Sequence, residues 1–286
     1  MTFRLIAWAF CMVMGITPPV LAEDCAEAAR LTREAESLAL AKRITAYQSA
    51  RAHCPSDPKT HYRAGMALMA SAQYPQAQTA LMEALEGVTR QSAPPAMRLE
   101  ILGRLAENEY RREARAEALT RFKIAREFAR NNQLALPAWM AQLQIDLDKQ
   151  LDSQPLTATE MHASLRGMRD LGVEPTVDYR VLFDTDSDRL TPEAEQQLQK
   201  IADSLGAEAG NIRVIGHTDL RGTEEHNQKL SERRARRVAA WLADHNRSLD
   251  GHLSALGKGM TEPKYFGSSD EYHQMNRRVE FVFGGK

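Results

Sequence analysis

Residues 216–238 run Gly-His-Thr-Asp-Leu-Arg-Gly-Thr-Glu-Glu-His-Asn-Gln-Lys-Leu-Ser-Glu-Arg-Arg-Ala-Arg-Arg-Val. Just upstream, Ile212-Arg213-Val214-Ile215 alternates enough for a strand, and Gly216 and Gly222 bracket a polar turn. Downstream, Leu230, Ala235, Val238, Ala239 and Leu242 recur at helical spacing. A strand end, a tight loop and a helix start therefore place Asp219 and Arg234 near each other. A carboxylate and a guanidinium that face one cleft can grip a zwitterion, the first taking its ammonium and the second forking onto its carboxylate.

Strand and helix alternate on both sides of this stretch. Val177 to Phe183 reads as a strand, and Thr191-Pro192 starts a helix, with proline in the first turn where its missing N–H costs nothing. Ala194, Leu198, Ile201 and Leu205 give that helix one apolar face. After the Arg-rich helix, which runs to about His245, further strands are expected at Leu253–Leu256 and Arg277–Phe283. Such alternation implies an α/β sandwich, a mixed sheet with helices on one face.

An ordered set of motifs runs through this part of the chain. It comprises Val181-Leu182-Phe183-Asp184-Thr185-Asp186-Ser187 with Leu190, Gly216-His217-Thr218-Asp219, Gly222, Asn227, Leu230-Ser231, Arg234-Ala235, Val238, Gly257, Gly259, Pro263 and Met275-Asn276-Arg277-Arg278-Val279. The set resembles the OmpA-like peptidoglycan-binding domain over residues 176–286. The resemblance implies that Asp219 accepts from the ammonium of the diaminopimelate side chain and that Arg234 forks onto its carboxylate. It implies that Asp186, Thr218 and Asn227 line the same pocket, that Leu230 packs beside it and that Arg277 forms another polar wall. It also implies a non-catalytic protein. The segment Lys264–Gln274 departs from the pattern by carrying Tyr265, Phe266 and Tyr272 where the family varies.

Other chemistries fit these residues less well. His217, Asp219 and His226 are three potential metal ligands on one loop without the closing partner of a structural site, so no metal or cofactor is expected. Ser231 beside His217 and Asp219 lacks a nucleophile elbow and reads as a residue that caps or steadies the helix start. Asp184 and Asp186 read as pocket rim rather than a catalytic carboxylate pair. The alternative to a binding protein is an exported enzyme or accessory subunit acting on the cell wall through a catalytic centre that the motifs do not reveal.

The N-terminal half has a different texture. Met1-Thr-Phe-Arg4, an apolar Leu5–Ile16 and Val20-Leu21-Ala22 have the order of a cleavable signal peptide over residues 1–22. Its apolar core is shorter than the roughly 20 residues a spanning helix needs, and no later stretch is apolar enough for one. Glu23 and Asp24 precede Cys25 where lipid attachment requires small residues. A periplasmic, wall-associated protein without a lipid anchor is the expectation. Cys25 and Cys54 would then remain in an oxidising compartment, flanking one helical hairpin, either bridged or as two buried thiols.

Residues 23–150 are rich in Ala, Leu, Arg and Glu, which is helical composition, punctuated by prolines. A period of about 34 residues emerges. Gly65, Tyr74, Ala77, Leu81 and Ala84 form the clearest unit, preceded by Tyr47, Ala50 and Pro55 and followed by Leu102-Gly103, Ala118, Phe122 and Ala125. The pattern resembles an all-α tetratricopeptide-type array, and such arrays offer a groove to a protein partner. Residues 151–175 read as a linker, Leu151-Asp-Ser-Gln-Pro155, followed by a lead-in helix from Thr157 to Leu171 closed by Gly172. A formal net charge of −1 over 286 residues gives no global attraction to nucleic acid.

Overall fold

The computed structural model describes residues 24–183, 186–206 and 210–284. The signal-peptide expectation falls outside the described residues. From Cys25 onward eight helices follow one another: α1 (Cys25–Ala35), α2 (Leu40–His53), α3 (Pro58–Ala70), α4 (Tyr74–Arg90), α5 (Pro95–Arg111), α6 (Arg115–Asn131), α7 (Ala138–Ser153) and α8 (Ala158–Asp170). The connections are short, so consecutive helices fold back as neighbours. Close approach depends on small residues at the contacts. A Cβ on Gly65 of α3 would stand 2.7 Å from Leu81 Cγ of α4, which is why that position carries no side chain. Around it Ala64, Ala67, Ala77, Ala80, Leu81 and Ala84 form a common core with Tyr47 and Leu105. At the open end of the α1–α2 hairpin Cys25 and Cys54 form a disulfide, reinforced by a hydrogen bond from Asp24 N–H to His53 O of 2.9 Å.

The C-terminal part comprises β1 (Thr176–Tyr179), α9 (Pro192–Ser204), β2 (Ile212–Gly216), α10 (Glu224–His245), a 3-10 turn at Arg247–Leu249, β3 (Leu253–Gly257), α11 (Asp270–Asn276) and β4 (Val279–Phe283). The four strands form a mixed sheet in the order β1-β4-β2-β3, antiparallel except for the parallel β2–β3 pair. One face, with Val177, Tyr179, Val214, Phe281 and Phe283, packs into a core with Leu198 and Ile201 of α9 and Val238 and Leu242 of α10. The cap of α9 is Thr191, whose side chain accepts from Ala194 N–H, as the Thr-Pro start implies. The first strand ends at Tyr179 rather than Phe183, because the chain turns away and Phe183 instead forms an isolated bridge with Leu190. Helix α11 starts inside the Lys264–Gln274 departure, runs on to Asn276, and was not anticipated.

The linker expected at residues 151–155 is not one. Leu151 to Ser153 complete the last turn of α7, and Leu151, Pro155 and Leu156 are buried. Leu151 and Leu156 enter the same core as the sheet, together with Leu119 of α6 and Met161, Leu165 and Met168 of α8. Helix α8 itself forms where expected, with Gly172 closing it at φ 70°; of the two candidate caps, Thr157 and Thr159, it is Thr157 that caps, in a reciprocal box with Glu160 that the structure adds. Its other side is tied to α6, where Arg115 Nη2 donates to Glu160 Oε2 at 2.7 Å and Thr120 and Ser164 hydroxyls lie 3.0 Å apart.

The opposite face of the sheet meets the helical array through charge. Asp178 of β1 accepts from Lys123 Nζ of α6 at 3.0 Å and from Lys264 Nζ at 2.6 Å. Lys264 also lies 2.6 Å from Asp148 Oδ2 of α7, to which Tyr265 donates its hydroxyl proton. The two halves of the chain are therefore joined by a shared apolar core and by a closed set of buried charges.

Candidate functional site

The site is built where β2 ends against α10. A Cβ on Gly216 would come within 2.3 Å of Ser231 O, and one on Gly257 within 2.6 Å of Ser231 Oγ. Only glycine permits this approach, and it brings the loop after β2 onto the helix face. On that face Asn227, Leu230, Ser231 and Arg234 are buried, at the i, i+3, i+4, i+7 spacing of one helical stripe. Ser231 donates to Gln228 O and accepts from Gly259 N–H, both at 2.9 Å, tying α10 to the turn after β3. It is therefore not at the helix start, where Thr223 caps the helix by accepting from His226 N–H.

A cleft of about 490 Å³ opens along this seam. All seven side chains singled out in the sequence line it: Asp186, Thr218, Asp219, Asn227, Leu230, Arg234 and Arg277. Phe183, Arg221, Gly222 and His226 complete the lining. Arg221 had no signal in the sequence beyond its place in the Gly216–Gly222 turn.

The electrostatics are uneven. Asp219 Oδ2 accepts from Arg221 Nη2 at 2.7 Å and Arg277 Nη1 at 2.8 Å, and Oδ1 accepts from Arg221 N–H at 3.1 Å. Burial works against its ionisation, but the hydrogen bonds from Arg221 and Arg277 outweigh it and bring the pKa down to about 2. Asn227 Nδ2 donates to Arg221 O at 2.7 Å and braces that loop. Arg234 is only 7% exposed, with Nε donating to Ser187 O at 2.9 Å and the guanidinium 4.8 Å above the Phe183 ring. Among the described residues no carboxylate lies within ion-pair distance of Arg234. Burial, then repulsion by Arg277, lowers its pKa, the mark of a cation short of counter-charge. Thr218 Oγ1 is likewise buried without a hydrogen-bond partner among the described residues.

The histidines diverge. His217, 2% exposed, has Nε2 3.4 Å from Glu280 on the far side of the sheet, whereas His226 Nε2 lies 2.7 Å from Asp186 Oδ1 at the cleft rim. Among the described residues no group of three or more His, Cys, Asp or Glu is placed to hold a metal. None of their helices is long and apolar enough to cross a membrane.

Residues 182–277 match the model of the OmpA family. The outer-membrane lipoprotein YfiB of Pseudomonas aeruginosa is 38% identical over 116 residues, covering 40% of this chain and 68% of that protein. A peptidoglycan-associated lipoprotein of Pseudomonas putida is 37% identical over 34% of this chain and 58% of its own length. Outer membrane protein A of Bordetella avium is 38% identical over 36% of this chain, which spans 53% of that protein. Among solved structures, the cell wall anchor of the T6SS from Pseudomonas aeruginosa aligns with 35% identity over 39% of this chain and 81% of that one, at a TM-score of 0.35. The similarity falls on the sheet domain.

Proposed function

Since this chain belongs to the OmpA family, we propose that its C-terminal domain binds peptidoglycan of the diaminopimelate type by gripping the zwitterionic end of the stem peptide. The observation that carries this reading is Arg234, a buried guanidinium without a carboxylate partner among the described residues, in the same cleft as the ionised Asp219. A buried cation left uncompensated is costly, and a ligand carboxylate supplies what the fold withholds. The ligand ammonium is received by Asp219. Arg221, whose side chain is 59% exposed, is free to move aside from Asp219 as the ammonium arrives. Thr218 Oγ1 offers a further polar contact, and Leu230 closes the floor.

The protein is read as a non-catalytic envelope component. Ser231, the serine weighed as a nucleophile in the sequence, is fully buried and hydrogen-bonded on both sides. The helical array is read as a tetratricopeptide-type scaffold for a protein partner. In support, a half-exposed row crosses α3, α5 and α7: Tyr62 donates to Glu100 at 3.0 Å, and Arg104, bonded to Glu100 and Glu107, lies 3.6 Å over the Trp139 ring. Export to the periplasm completes the reading.

Co-sedimentation with purified diaminopimelate-type sacculi tests the central claim. Wild-type protein pellets, while folded Asp219→Ala and Arg234→Ala variants stay in solution. Equal behaviour of all three sinks the zwitterion grip, and release of soluble wall fragments would argue for the enzymatic alternative instead.

A further inference from the structure

A second, smaller cavity of about 130 Å³ adjoins the cleft, lined by Arg180, Leu182, Phe183, Arg234, Gln274 and Arg277. Phe183, Arg234 and Arg277 line both cavities, so the two open on either side of the same pair of cations. Their charge balance differs. The larger cleft sets Asp186 and Asp219 against Arg221, Arg234 and Arg277. The smaller one has, among the described residues, three guanidinium groups and no carboxylate in its lining. Arg180 is held in place from behind: its backbone N–H donates to Asp152 Oδ1 at 2.6 Å, and its Nε lies 3.4 Å from Asp152 Oδ2. One-third of its side chain remains exposed.

We propose that this cavity is an anion subsite that receives a second carboxylate of the same stem peptide, with Arg180 as the residue that recognises it. The proposal rests on the diaminopimelate reading above. A guanidinium held along one edge keeps its other donors for a bidentate contact at little entropic cost. The chemistry of the ligand supplies candidates on both sides of diaminopimelate: the α-carboxylate of the preceding γ-linked glutamate, and the carboxylate of a following alanine. The alanine carboxyl carbon lies about eight bonds, and the α-carboxyl carbon of the γ-linked glutamate about ten bonds, from the zwitterionic carbon, roughly 10–13 Å when extended, so either carboxylate can pass from the zwitterion cleft into a cavity that shares its walls. Exposed Leu182 at the cavity wall offers an apolar contact to the intervening methylene groups.

Calorimetric titration of the full mature chain provides the test. The probes are meso-diaminopimelate alone, the tripeptide L-alanyl-γ-D-glutamyl-meso-diaminopimelate, that tripeptide with its glutamate α-carboxylate amidated, and meso-diaminopimelyl-D-alanine. Wild type binds the free tripeptide about tenfold more tightly than the amidated one, the size of one charge-assisted contact. Arg180→Gln abolishes that difference and leaves diaminopimelate alone unaffected. Gln274→Glu, which places an acid in the cavity without touching Asp152, weakens the free tripeptide in the same selective way. If the Arg180-dependent gain attaches to the alanine dipeptide instead, the subsite stands and its carboxylate is the following one. Variants that bind every probe as wild type does, or that lose all probes in parallel, overturn the subsite. A wild type that binds none of the four overturns the zwitterion reading itself.

Discussion

Two groups of buried charge lie on the same small sheet domain and differ in one respect. At the junction with the helical array, Asp178 and Asp148 pair with Lys123 and Lys264, beside Arg278 and Glu280, and each of the four has an opposite charge within 3.0 Å, so the set is closed. In the cleft, Asp219 takes two arginines while Arg234 keeps a backbone carbonyl and an aromatic ring but no acid among the described residues. A closed set holds the fold together. An open one invites an outside group to complete it.

The comparison is open to attack by deletion. Asp178→Ala strands buried Lys123, leaves Lys264 with Asp148 alone, and is expected to destabilise by about 3–5 kcal/mol, read as a lower urea midpoint. The surviving folded protein still pellets with sacculi. An unchanged midpoint means that the junction is not closed in the sense argued. Breaking the Cys25–Cys54 bridge with a double serine variant removes a constraint across a sequence separation of 29 residues, worth roughly 3–4 kcal/mol. That loss is expected in the helical region alone, with sacculus affinity of the folded fraction intact.

Arg234→Ala has the opposite profile. Wall affinity falls by about 2–5 kcal/mol, thirtyfold or more, while the stability read by urea unfolding changes by no more than about 1 kcal/mol because an uncompensated cation leaves with the side chain. Arg234→Lys keeps the charge without the planar fork and recovers only part of the affinity. Destabilisation as large as that of Asp178→Ala would make Arg234 structural and collapse the contrast.

Acid supplies the gentlest probe. Burial opposes ionisation of Asp178, but Lys123 and Lys264 hold its pKa well below the usual carboxylate range. Its folded pKa thus lies under its unfolded value of about 3.9, so its stabilisation is complete above about pH 4 and is lost as pH falls toward the folded pKa. Urea midpoints measured from pH 5 down to pH 3 should decline for wild type and decline less for Asp178→Asn. Parallel slopes would show that another carboxylate controls acid unfolding.

Much of the architecture was legible because its signals are local. The helix from Thr157 closed by Gly172, Thr191 with Pro192, and the apolar recurrence from Leu230 to Leu242 each lie within a window of a few turns, where capping and periodicity act. The seven cleft residues were found through motif order. Arg221 was not, since nothing in its own neighbourhood distinguishes it from a solvated arginine. The linker reading failed for a related reason: Asp152, Ser153 and Gln154 are polar and Pro155 breaks the helix, yet the surrounding Leu151 and Leu156 are claimed by a core whose other members come from far along the chain.

The sequence by itself determined the order of the four strands and the two long helices of the sheet domain, the helix start at Thr191, and the placing of Asp219 past a strand end with Arg234 on the following helix. Those features depend on backbone propensity and spacing over short distances. Only the tertiary structure decided that Lys123 and Asp148 of the array meet Asp178 and Lys264 of the sheet domain, that Arg221 and Arg277 converge on Asp219, and that Arg234 is left without an acid among the described residues. Whether a buried charge is compensated depends on residues as far apart in the chain as Asp148 and Lys264, and no local window of sequence contains that sum.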